Sequence, residues 1–144
     1  MTAVSPIVDQ TIDLTRSLRN AANAMMDRAH EQRAAGKLSL NDYFAIADRY
    51  QSIINQANMV VYEAAEKLPP IGPHLGPVEA AAKELEQAAT SMAKVTDVLA
   101  VSAQLLQALS SLVVAILHPE PAAFAAVAAA IVSAVQGIRG QLSH

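Results

Sequence analysis

The chain contains no cysteine, which excludes disulfides, thiolate nucleophiles and thiolate-held metals together while leaving the redox compartment open. It has no tryptophan, only 3% aromatic residues and five glycines in 144 positions. Sheets favour aromatic and β-branched side chains, and the turns between strands need glycine, so this composition predicts an all-α fold. Charge is the most unevenly missing property. Residues 98–138 hold a single Asp, Glu, Lys or Arg, Glu120, although the whole chain has 23 such residues. Basic residues are scattered beside acids and form no stripe that tracks phosphates, so nucleic acid is not expected as a partner. The first residues, Met1 to Pro6, carry no basic segment ahead of an apolar run, so a classical signal peptide is not expected. The location this predicts is cytoplasmic, or exported by a non-classical route, with membrane association left open by the apolar segment.

What is present is hydrophobic and rich in alanine: 53% apolar residues, a net charge of −3 and a pI near 5.7. A chain of this length and composition is expected to form one helical domain over 1–144 and to bury its own core without a metal or a cofactor. Ser5 as N-cap and Pro6 in the first turn open a helix whose seam runs Ile7, Thr11, Leu14, Leu18, Ala21 and Met25. Gly36 follows it as a left-handed cap. Ser39-Leu40-Asn41-Asp42 reads as the capping box of a second helix, with a heptad through Tyr43, Ala47, Tyr50, Ile54, Ala57, Val61, Ala64 and Leu68. The short turn between them predicts an antiparallel, charged hairpin over 5–68.

After Pro69-Pro70, Pro77 starts a third helix. Val78, Leu85, Met92, Leu99, Leu106 and Val113 recur every seven residues, with Ala81, Ala88, Val95, Ser102, Leu109 and Ile116 between them. No breaker intervenes before Pro119, so the pattern predicts one coiled-coil-like helix of about 60 Å against about 45 Å for the first. A shorter fourth helix, from Pro121, presents Phe124, Val127, Ile131, Val135, Ile138 and Leu142. The expectation is an up-down-up-down four-helix bundle with a long third helix, whose tip overhangs the charged hairpin, and an uncharged carboxy-terminal helical hairpin within 77–142.

The outward stripe of that second hairpin, Gln104, Gln107 and Ser111 on the third helix and Ala126, Ala129 and Ser133 on the fourth, is small and amide-bearing rather than greasy, and with Val114 and Leu117 of the overhanging tip it makes up the expected partner interface. Lipid-facing stripes carry Leu, Ile, Phe and Val with aromatic or basic anchors at their ends. Contact with protein is therefore the expectation, with copies of the same chain or a helical partner. The rival reading uses the length of the two uncharged stretches, which suits a bilayer. His118 and Glu120, at the turn between them, would then act as a pH-sensitive tip for reversible insertion, with liposome leakage rising as the pH falls through about 6 to 4.

Catalytic and metal-binding residues are not expected, because titratable groups do not converge. Asp27 and His30 have the spacing of helical-bundle metal ligands but lack a second such pair on another helix. Met25, Met26, Met59 and Met92 read as core filler. Tyr43, Tyr50 and Tyr62 share one side of the second helix. Tyr62-Glu63-Ala64-Ala65-Glu66, at the end of an antiparallel helical pair, resembles the Tyr-x-x-x-Glu export signal of type VII secretion substrates. The Trp-x-Gly turn of that family's small members is replaced here by Ala35-Gly36-Lys37. The resemblance implies a secreted helical hairpin protein as a further alternative.

Overall fold

The computed structural model describes residues 6–66 and 75–142. Among these residues there is no strand, and five α-helices account for nearly all of them: α1 (Pro6–Ala34), α2 (Leu40–Glu66), α3 (Leu75–Ala89), α4 (Val98–Leu117) and α5 (Pro121–Leu142). The proposed N-cap Ser5 and the seam residue Leu68 lie outside the described residues, as do the side chains of Ile7 and Val8.

Local chemistry sets the first turn. Gly36 has φ +72°, the left-handed conformation that ends α1. The N–H of Lys37 reaches back to the carbonyl of Gln32 at 2.8 Å and that of Gly36 to Arg33 at 3.1 Å, which closes a Schellman cap. Ser39 Oγ then accepts the Asp42 N–H at 3.1 Å and caps α2, a bond of about 1 kcal/mol at such positions. Two tyrosines tie the antiparallel pair: Tyr50 donates to Asn23 Oδ1 at 2.6 Å, and the Tyr43 hydroxyl lies 2.9 Å from His30 Nδ1.

The single long third helix is not what the chain forms. It stops at Ala89, passes through a short 3-10 turn at Met92–Lys94, and restarts at Val98 behind Asp97, whose carboxylate accepts the Ala100 N–H at 3.1 Å. Hydrogen bonds fix the directions. Asn20 meets Glu86 and Arg28 meets Val95, so α3 runs parallel to α1. Arg49 meets Ser102 and Gln56 meets Ser110, so α4 runs parallel to α2. Because α1 and α2 are antiparallel, the 90–97 segment reverses the chain. Gln141 meets Asp97 and so sets α5 antiparallel to α4. The expected overhang disappears for the same reason, since the end of α4 lies beside the last turns of α2 instead of projecting past them.

The reversal also shifts the buried seam. Val78, Leu85 and Met92 are buried as the heptad predicts, but Leu99, Leu106 and Val113 are only half-buried. Their places are taken by Val98, Leu105 and Leu112, one residue earlier. Ser102, Leu109 and Ile116 stay buried in both registers. In α2 a similar displacement buries Ile46, Ile53 and Val60 together with Ala57 and Ala64, leaving Ala47, Ile54 and Val61 half-buried. The seam of α1 follows the sequence pattern from Thr11 to Met25 and that of α5 from Phe124 to Ile138, Leu142 being half-buried, and all five helices contribute to one connected core.

Candidate interaction surface

α4 and α5 present a core face and an outer face. Leu105, Leu109, Leu112 and Ile116 of α4 and Phe124, Val127, Ile131 and Ile138 of α5 point inward and are almost wholly buried. The outer side of the pair forms an open, mostly apolar groove of about 320 Å³ lined by Gln107, Ser110, Ser111, Val114, Ala123 and Ala126. Four residues expected on the contact stripe, Gln107, Ser111, Val114 and Ala126, thus come together there. Leu117 is exposed at the end of α4, whereas Ala129 and Ser133 are exposed on α5 outside the groove lining.

Gln104 does not join them. Its carboxamide is turned inward against Gly137 of α5, so close that a Cβ at position 137 would collide with it. Its Oε1 is buried without a hydrogen-bond partner. The sequence pattern places Gln104 opposite the heptad seam, but α5 packs on that side of α4 and covers it.

Of the large apolar residues left in solvent, four cluster at one end. Val114 is 56% exposed and Leu117 36% on α4, and Met59 is 45% exposed and Tyr62 67% on α2. The α2–α4 hydrogen bonds separate partners by 53 and 54 positions, which places Met59 and Tyr62 level with residues 112–116. Met59 is therefore surface rather than core filler, unlike the buried Met25 and Met92. Tyr62 likewise parts company with Tyr43 and Tyr50, which turn toward α1. Sequence periodicity missed Met59, Ser110 and Ala123. The displaced α2 seam, visible only once Ile53 and Val60 are known to be inside, carries the signal for Met59. Leu40 and Phe44 are also exposed, at the opposite end of α2.

No ionic side chain lines the groove. Glu120 and His118 are exposed at the α4–α5 turn, where the Glu120 carbonyl accepts the N–H groups of Ala123 and Phe124 and the His118 N–H donates to Val114. They close helix ends through their backbones. Among the described residues no group of three or more His, Asp or Glu is placed to hold a metal ion, and His30 is engaged by Tyr43. A second, polar depression between α1 and α3 is lined by Asp13, Arg16, Ser17, Lys83 and Glu86. Asp13 pairs with Arg16 at 3.3 Å and Lys83 with Glu79 at 3.7 Å, exposed pairs of the kind that contribute little.

By length and composition both α4, with 20 residues, and α5, with 22, are apolar enough to cross a membrane. About half or more of each lies outside the core, 44% and 33% of the most apolar windows being buried. Tyr62 and Glu66, one helical turn apart near the end of α2, are both exposed. Comparison of the chain with protein-family models, with curated proteins and with solved structures finds no match in any of the three.

Proposed function

We propose that the protein is a non-enzymatic helical bundle that assembles with copies of itself through the outer face of α4 and α5. The observation that carries this reading is an uncharged groove that includes exposed Val114, at the end of the fold where Met59, Tyr62 and Leu117 are exposed as well. A two-fold contact sets the same patch against itself. An uncharged patch suits that arrangement, since no ion is buried without a partner. Protruding Val114 and Leu117 of one copy would fill the shallow groove floored by Ala123 and Ala126 of the other, removing apolar area from water at roughly 25 cal/mol per Å².

Light scattering on the wild type and on Ala126→Glu tests it. Ala126 is exposed, so the carboxylate has room in a single chain and stability should change by no more than about 0.5 kcal/mol. The wild type should be larger than one chain and the variant should fall to monomer mass. A wild type that is monomeric throughout, or a variant of unchanged mass, overturns the reading.

A second reading is supported by the two membrane-length helices: the α4–α5 hairpin leaves the fold and enters a bilayer. It requires giving up the buried contacts of Leu105, Leu109, Leu112 and Ile116. Leakage of anionic liposomes in neutral and in acidic buffer tests it, and no leakage in either removes it. Exposure of Tyr62 and Glu66 supports the alternative of type VII-like export, which predicts that Tyr62→Ala abolishes secretion by such a system.

A further inference from the structure

The segment between α3 and α4 holds two contradictory instructions. From Val78 to Ile116 the sequence repeats its heptad without glycine or proline, which favours one continuous helix. In the fold the chain instead reverses at 90–97, and its backbone groups there are satisfied from outside. Gln141 Oε1 accepts the N–H of Thr96 at 2.8 Å and of Asp97 at 2.6 Å, while its Nε2 donates to the Asp97 carbonyl at 3.1 Å. Gln32, only 5% exposed, donates to the carbonyls of Val95 and Thr96 at 3.3 and 2.9 Å. Arg28 Nε donates to the Val95 carbonyl at 2.8 Å. Within the segment, Lys94 and Val95 close only 3-10 bonds, to Ser91 and Met92.

We infer that residues 90–97 form a latched hinge and that, when Gln32 and Gln141 let go, α3 and α4 fuse into a single helix that carries the α4–α5 turn away from α1 and α2. In the fused helix every backbone group now held by the latch finds an intrahelical partner. Leu99, Leu106 and Val113, half-buried in the reversed fold, then complete the seam begun by Val78, Leu85 and Met92. The one-residue displacement of the buried seam across the hinge marks the conflict between the two packings, each using the same Ser102, Leu109 and Ile116. What opposes fusion is the burial of Leu105, Leu109 and Leu112 against the other helices, which the fused form must replace, together with local terms: Thr90, Ser91 and Thr96 are weak helix formers, and Asp97 caps α4. The inference holds whether the freed hairpin meets another copy or a bilayer, so it stands apart from the assembly reading and fails separately.

Because the chain has no cysteine, spin labels can be placed at will. Ala80 and His118 are exposed at the same end of the fold, since α3 starts and α4 ends there. Labels on Ala80→Cys and His118→Cys should lie roughly 20–25 Å apart in the reversed fold, about two helix diameters, and ~57 Å apart along a fused helix. Pulsed electron resonance on the wild-type background should give the short distance. Gln32→Ala with Gln141→Ala should populate the long one, with helical circular dichroism unchanged or raised. Thr90→Ala and Ser91→Ala together, which touch no bond to the latch glutamines, should shift the population the same way. Adding Ala93→Pro should abolish the long distance in both, because position 93 is exposed in the first turn of the 3-10 segment, whereas a proline there interrupts a continuous helix. A distance that stays short in both variant sets overturns the inference. So does a broad distribution with loss of helicity, which would mean melting rather than fusion.

Discussion

Replacing Gln141 by Ala isolates the contribution of one side chain to a chain reversal. The carboxamide accepts two backbone N–H groups, at 2.8 and 2.6 Å, and returns a hydrogen bond to the Asp97 carbonyl at 3.1 Å. A net contribution of about 0.5–1.5 kcal/mol per bond would give a few kcal/mol if all three were shielded. The bonded backbone of Thr96 and Asp97 is exposed, so water replaces part of what is lost, and about 1–2 kcal/mol is the expected cost. For a chain of this size that lowers Tm by about 3–8 °C. Gln136, exposed on the same helix one turn and a residue earlier, supplies the control, and Gln136→Ala should stay within about 0.5 kcal/mol of the wild type. Thermal unfolding followed by circular dichroism, at a concentration where the oligomeric state is constant, reads both. Equal midpoints for the two variants would refute the claim that Gln141 holds the reversal.

Two further substitutions test the packing and the first turn. Leu112→Ala removes a side chain with no exposure in the second half of α4 and should cost about 2–5 kcal/mol in urea unfolding, more than truncation of the half-buried Leu106. The opposite order would show that the unshifted heptad is the buried one. Gly36→Ala meets no atom within 4 Å of the new Cβ, so its whole cost comes from φ +72° and should be about 1–2 kcal/mol, with Gly36→Asn milder. A neutral alanine would place the turn's stability elsewhere.

The α1–α2 hairpin could be read from the sequence because each of its signals is local. Gly36 requires its conformation whatever surrounds it, Ser39 caps the residues that follow it, and the seam of α1 is already complete in one face of one helix. The all-α class followed from composition for a similar reason. The break in the third helix was not legible, because a heptad describes which residues share a face and is silent on whether the helix carrying it continues. Asp97 is of a type that caps helices, but no glycine or proline beside it marks a stop. Four of the six residues that line the candidate groove were visible in outline, since Ala126, Val114, Ser111 and Gln107 are small, apolar or uncharged wherever they fall. Met59 was not, because placing it required knowing on which side of α2 the partner helices sit.

By itself the sequence determined that the chain would be helical, where its first helix ends and its second begins, and that its last two would present a face without ions, all of which depend on residues within a few turns of one another. Only the tertiary structure decided that α3 and α4 part company, that the buried seam slips by one residue, and that Gln104 turns inward. Those outcomes depend on Arg28, Gln32 and Gln141 reaching residues 44 to 67 positions away, and on which neighbour occupies each flank of a helix, a choice that no local periodicity specifies.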